Sequence, residues 1–298
     1  MTVLFLVASV LFAAESTTTV GTIIHRGIKR HYVLHLPVNP SSGQPLPLVI
    51  VLHGGGGDAA KVEALTGFSR LADTAGFVVA YPEAVNRHWN DGRNVRRFKA
   101  QREQVDDVGF IELLIDQLVR ERRVDHKRVY ATGISNGGMM CHRLGIELGD
   151  RLAAIAPVAA GLPEPLAEVR PAHPVSVLAI NGTADPLVPY AGGGVGLRHK
   201  RGRVLSAPGT ACFWVQANGC AEPAVVETLP AADSTDRTKV VRSHWSGGRE
   251  SSEVLLYTVV GGGHTWPSGT RRPRSFGRTS RNIDATRAIW EFFKKHSR

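Results

Sequence analysis

Gly133-Ile134-Ser135-Asn136-Gly137 closes an apolar run that starts at Val129, and Met139, Met140, Leu144, Ile146 and Leu148 continue beyond it at helical spacing. A buried strand that stops on such a turn and restarts as a helix holds a serine hydroxyl on a sharp, strained bend, where flanking glycines let neighbouring backbone approach. That setting suits a nucleophile. In a chain with 32 glycines the pentapeptide alone says little, so its weight depends on partners elsewhere.

Three segments supply them. Leu52-His53-Gly54-Gly55-Gly56-Gly57 follows an apolar run and precedes a helical pattern, so its amides, at Gly55 and Gly56, are expected to join the N–H of Asn136 as an oxyanion hole. A phosphate loop would need Gly-x-x-x-x-Gly-Lys-[Ser/Thr], and Lys61 comes too late for it. His53 precedes the serine and is expected to fix this loop rather than act as base. Asp185, in Asn181-Gly182-Thr183-Ala184-Asp185-Pro186, stands just past a strand and is the expected acid, where the bland alternative is an Asp-Pro turn. Asp233 and Asp236 lie in a polar stretch instead. His264, in Gly261-Gly262-Gly263-His264-Thr265-Trp266-Pro267, follows the last apolar run and is the expected general base. Trp266 beside it, and Trp89 in His88-Trp89-Asn90-Asp91-Gly92, are rigid aromatic surfaces expected to contact substrate, with core packing as the competing role.

Positioning these residues requires strands alternating with helices, the pattern of a mostly parallel sheet with helices on both faces. Residues 29–36 alternate as an antiparallel edge strand, while 48–52, 78–81, 129–133, 153–158, 177–181 and 254–260 are apolar runs expected as further strands. Helices are expected over 61–75, 107–120 and 283–295, the second capped by Asp106 or Asp107 and the last with lysines in its final turn. From 221 to 252 the chain turns polar and reads as a surface excursion. At 298 residues with 43% hydrophobic content and a mean hydropathy of −0.08, residues 17–298 are expected to form one α/β domain with a large core.

The net charge is +10 and the isoelectric point about 9.9, with basic clusters at 93–102, 120–128, 198–203 and 271–281. These read as a solubilising surface, since no zinc-finger spacing, RNP-like motif or aromatic-interleaved basic stripe points to nucleic acid. Residues 3–14 are apolar but too short to span a membrane; with the polar residues that follow they read as a signal peptide over 1–16, although no basic residue precedes the run. Export to the periplasm or the medium follows as an expectation, with no stable membrane association after processing. Cys141, Cys212 and Cys220 form no metal-ligand pattern. Cys141 reads as a small buried hydrophobe, and a Cys212–Cys220 bridge would require the helix between them to end before Cys220.

Taken together, His53-Gly54-Gly55-Gly56-Gly57, Trp89-Asn90-Asp91, Asp106-Asp107-Val108-Gly109-Phe110-Ile111, Gly133–Gly138, Asn181–Asp185 and Gly262–Pro267 resemble the polyhydroxybutyrate depolymerase/feruloyl esterase family of extracellular serine esterases, over residues 24–293. The resemblance implies an α/β-hydrolase fold, no cofactor and no metal. It also implies hydrolysis of feruloyl or acetyl esters of plant-wall polysaccharides, or of polyhydroxyalkanoate esters, through Ser135, Asp185 and His264. Relatives pair the cysteine matching Cys220 with one shortly before the last strand, where this chain has His244-Trp245-Ser246-Gly247-Gly248. The alternative from another class is a catalytically inactive polysaccharide- or polyanion-binding protein on the same fold.

Overall fold

The computed structural model describes residues 17–38, 44–270 and 273–298; the expected signal segment 1–16 lies outside the described residues. The described chain opens with a hairpin of β1 (Thr17–His25) and β2 (Ile28–Leu36). Then come β3 (Leu46–Leu52), α1 (Ala59–Thr66), α2 (Phe68–Ala75) and β4 (Val78–Pro82). A long loop carries the single turn α3 (Lys99–Arg102) to α4 (Asp107–Arg122), and β5 (Val124–Ile134) leads through Ser135 into α5 (Asn136–Glu147). After β6 (Ala154–Val158) and β7 (Ser176–Gly182), a two-strand ribbon, β8 (Gly193–Gly194) with β9 (Arg203–Val204), precedes α6 (Ala207–Asn218). β10 (Val225–Thr228), β11 (Lys239–Trp245), β12 (Val254–Val260) and α7 (Ala285–Phe293) complete the order.

Ten strands form one sheet in the order β1-β2-β4-β3-β5-β6-β7-β12-β11-β10. β4, β3, β5, β6, β7 and β12 run parallel, and antiparallel ribbons flank them on both sides. The alternation within β3 shows why both faces are covered. Leu48, Ile50 and Leu52 pack with α4, α5 and α6, whereas Val49 and Val51 pack with α1, α2 and α7. A parallel strand buried on two faces must be apolar throughout, and every residue of β3 is buried.

The differences from the expected elements have local causes. Strand 29–36 is not the edge: β1 pairs outside it through a nearly continuous β-branched segment, Thr17-Thr18-Thr19-Val20-Gly21-Thr22-Ile23-Ile24. The single helix over 61–75 is two, because Gly67 takes a left-handed φ of 67° that ends α1 and starts α2. The polar stretch 221–252 contributes β10 and β11 to the sheet, although Asp233 does sit at its exposed turn. At α4 the two aspartates divide the work: Asp106 caps the helix by accepting from Gly109 N at 3.0 Å, while Asp107 is buried in an ion pair with Arg30. Lys294 and Lys295 fall just beyond α7 rather than in its last turn. All three cysteines are free thiols; Cys141 is buried, and α6 does end before Cys220. No helix among the described residues is long and apolar enough to cross a membrane.

One core histidine ties stability to pH. His142 on α5 is fully enclosed, and its Nδ1 accepts a 3.0 Å hydrogen bond from Trp214 Nε1. Burial drives its pKa from 6.5 to about 3, so the folded protein holds it neutral. Between those values the unfolded chain binds the extra proton, so stability rises with pH and falls on acidification below about 6.5. At pH 5 the loss from this group is on the order of 2 kcal/mol. His142→Asn, which can still present an acceptor to Trp214, is expected to flatten the fall in urea-denaturation stability between pH 7 and pH 5. An unchanged slope would assign that fall to other groups.

Candidate active site

Ser135 sits where β5 gives way to α5, with φ 59° and ψ −121°, a conformation costly for a residue with a side chain. It persists because both sides of the turn are held: Ser135 N donates to Val158 O at 2.9 Å, and Met139 N to Ser135 O at 2.8 Å. The flanking glycines are required by space. A Cβ on Gly137 would stand 2.3 Å from Leu52 O, and one on Gly133 would stand 2.6 Å from the same atom. The elbow is therefore pressed against the end of β3, the strand that carries the glycine loop.

Asp185 and His264, the expected acid and base, lie on loops that follow β7 and β12. One carboxylate oxygen of Asp185 accepts from Leu187 N (2.7 Å) and Val188 N (2.8 Å); the other accepts from His264 Nδ1 at 2.7 Å. Two backbone donors aim this carboxylate, and the carboxylate fixes the histidine tautomer. Nδ1 carries the proton, which leaves Nε2 as the basic nitrogen. Both side chains are buried, and His264 N is anchored to Phe276 O at 2.6 Å. His264, Ser135 and Asn136 line one cavity of about 280 Å³.

Gly54 to Gly57 line the same cavity, but their amides are not equivalent. Gly56 N already donates to Arg87 O at 2.8 Å, and Gly57 N to Gly54 O at 2.9 Å. This corrects the expectation for Gly56, whose N–H is occupied. Among the described residues no acceptor is met by the N–H of Gly55 or by that of Asn136, which opens α5, where helical amides lack partners. His53 fixes the loop from within: Nε2 accepts from Ala84 N (3.1 Å), so Nδ1 is the protonated nitrogen and donates to Gly54 O (2.8 Å). Burial lowers its pKa, in keeping with a neutral ring.

The tryptophans are elsewhere. Trp89 and Trp266 are both fully buried and neither lines the cavity, which corrects their expected place against substrate. Trp89 donates from Nε1 to His53 O at 2.9 Å, and Trp266 from Nε1 to Thr286 Oγ1 at 3.0 Å while packing edge-on to Phe68. The aromatic walls come instead from Phe98, stacked on His88 with centroids 4.1 Å apart, and from Phe276 near His264. Leu187, Val188 and Val195 form the aliphatic side. These residues carry no motif; only their place on loops after strand ends would have pointed to them.

A buried carboxylate organises the floor. Asp91 is wholly enclosed and accepts from Arg93 Nε (2.9 Å) and Nη2 (2.6 Å), from Asn136 Nδ2 (2.6 Å) and from Gln101 Nε2 (3.0 Å). Asn136 also accepts from Trp89 N at 2.8 Å, so the residue after Ser135 is tied to the loop facing it.

This topology, with an elbow at the end of a central strand, is the α/β-hydrolase fold. Solved structures that share it include a thermostable esterase (TM-score 0.57, 16% identity, covering 94% of this chain and 63% of that one). Another is the acetyl xylan esterase from Aspergillus awamori (TM-score 0.56, 14% identity, covering 83% and 94%). At such identities the likeness is one of fold. In sequence the chain is 36% identical to NocK of Nocardia uniformis subsp. tsuyamanensis, named as an esterase, over 94% of this chain and 83% of that protein. It is 28% identical to feruloyl esterase B of Piromyces equi over 80% of this chain, spanning 43% of that longer relative. The family model described as Esterase PHB depolymerase matches residues 30–164. The chain belongs to the polyhydroxybutyrate depolymerase/feruloyl esterase family, and it is a carboxylic ester hydrolase.

Removing the buried anion tests the floor of the site. Asp91→Ala leaves the Arg93 guanidinium enclosed without a counter-charge and is expected to cost about 3–5 kcal/mol in chemical denaturation. A loss below about 1 kcal/mol would show that Arg93 does not depend on Asp91.

Proposed function

We propose that Ser135, His264 and Asp185 act as the nucleophile, base and acid of a secreted serine esterase. The observation that carries this reading is the 2.7 Å Asp185–His264 bond on the wall of the cavity into which the Ser135 elbow opens. In this mechanism His264 Nε2 takes the Ser135 hydroxyl proton as Oγ attacks the ester carbonyl. Negative charge on the carbonyl oxygen is met by the Gly55 and Asn136 amides, with Gly56 excluded by its bond to Arg87. His264 returns the proton to the leaving alcohol, and the acyl group stays on Ser135. Water, deprotonated by the same nitrogen, then releases the acid and restores the serine.

Feruloyl or acetyl esters of plant-wall polysaccharides and polyhydroxyalkanoate esters are the substrate classes we put forward. The name of the Piromyces equi relative and the description of the family model support them, as does a cavity walled by Phe98 and Phe276. Export through residues 1–16, and residues 17–298 acting as one catalytic domain, belong to the same reading.

Ser135→Ala is expected to abolish both p-nitrophenyl acetate turnover and fluorophosphonate labelling. Asp185→Asn is expected to lower kcat by as much as about 10⁴-fold, by analogy with other Ser-His-Asp sites. Wild-type turnover in Ser135→Ala would overturn the nucleophile. An unlabelled wild-type protein that binds polyanions would favour the inactive binding protein instead.

A further inference from the structure

In a parallel sheet every loop that follows a strand emerges at the same edge, here the edge that carries Ser135. Three of the four basic clusters fall on such loops. Residues 93–102 follow β4, 198–203 follow β7, and the described part of the last cluster, 273–281, follows β12. Only 120–128, between α4 and the start of β5, lies at the opposite edge. Each of the three segments at the Ser135 edge also reaches the cavity lining, through Arg93 and Phe98, Arg201, and Phe276 respectively, while Arg274 and Arg278 border a neighbouring cleft with Asp236.

Many of these cations are not neutralised within the chain. Lys61 pairs with Asp58 at 2.7 Å, Arg203 with Glu164 at 2.8 Å, Arg281 with Asp233 at 2.8 Å, and Arg93 with Asp91 at 2.6 Å. Among the described residues Arg96, Arg198, Lys200, Arg201, Arg274 and Arg278 have no carboxylate partner, and all six are exposed. Arg201 is distinct within this set because it lines the cavity itself, whose lining holds no aspartate or glutamate. Its backbone is fixed: Arg201 O accepts from Arg93 Nη1 at 2.7 Å, and Arg201 N donates to Val195 O at 3.0 Å. The buried Asp91–Arg93 pair thereby anchors the backbone of a second arginine, whose guanidinium has no carboxylate partner, on the cavity lining. A lone guanidinium matches one negative charge, and its planar fork matches a carboxylate.

We propose that the ester this enzyme cleaves carries a carboxylate close to the scissile bond, bound by Arg201, with the remaining cations drawing acidic substrate to the mouth. The inference rests on the esterase reading of Ser135. Clustered like charge raises the rate of encounter with an oppositely charged substrate and does so less as salt screens it.

The test compares monomethyl adipate with dimethyl adipate by pH-stat, and acetylated pectin with neutral acetylated xylan, at about 0.01 M and about 0.5 M salt, between which the Debye length falls from about 30 Å to about 4 Å. We expect kcat/KM to favour the charged member of the small pair by about tenfold or more, the preference shrinking at high salt. Arg201→Gln is expected to lower the charged-to-neutral ratio for the small esters by about tenfold, with thermal unfolding showing that the variant is folded. A preference in the small pair places the carboxylate at Arg201. A preference in the polymers alone would overturn that placement and leave the rim as the recognition element. Equal or better turnover of both neutral members, insensitive to salt, overturns the inference and leaves the esterase reading standing. No hydrolysis of any ester, with no fluorophosphonate labelling, overturns both.

Discussion

The Asp91 carboxylate is the point through which the site is held together. A charge enclosed at that depth is tolerable only if its oxygens are met by donors, and the donors that meet it come from three places. Asn136 brings the start of the helix that follows Ser135, Gln101 brings the turn α3, and Arg93 brings its own loop and, through its third nitrogen, the ribbon of β8 and β9. A second enclosed pair lies beneath it: Asp107 accepts from Arg30 at 2.6 Å and from Asn90 N at 2.7 Å, and Arg30 stacks over Phe110. Burial pushes the Asp107 carboxyl upward, while the Arg30 charge and the Asn90 amide pull it back down. The elbow, the glycine loop and the cavity wall are thereby referenced to one another through polar contacts instead of flexible surface loops.

How much of this was legible in the sequence depended on where each residue sits relative to the sheet. The parallel strands were readable because burial on two faces demands uninterrupted apolar runs such as 46–52. β1, β10 and β11 were not, because flanking strands meet solvent and dilute that signal with threonine, glutamate and arginine. The placing of Ser135, Asp185 and His264 on loops after strand ends was readable from glycine spacing and chain order. Asp91, Arg93 and Gln101 look like surface residues by type, and only tertiary contact reveals that they are enclosed. Trp89 and Trp266 illustrate the converse. Adjacency in sequence to a site residue does not say which way a side chain points, and both indoles turn inward to hydrogen-bond beneath the site.

The charge of the chain has the same lesson. A net charge of +10 describes a composition, and composition has no direction. Direction enters only with topology, which sends the loops after β4, β7 and β12 to one edge and the 120–128 segment to the other. The polarity of the molecule is thus a property of strand order.

The clamp beneath His264 has a further consequence. Trp266 is held by Thr286 at the start of α7, Thr286 Oγ1 reaches Thr66 O at 2.5 Å, and Trp290 and Phe293 of α7 stack on Phe77 and Tyr130 of the sheet core. The loop bearing His264 is therefore seated by a helix that follows it in the chain, long after the serine elbow has been synthesised. During translation Ser135 therefore leaves the ribosome ahead of both His264 and the helix that seats its loop. The triad proposed for this site is thus complete only once the C-terminal helix has docked.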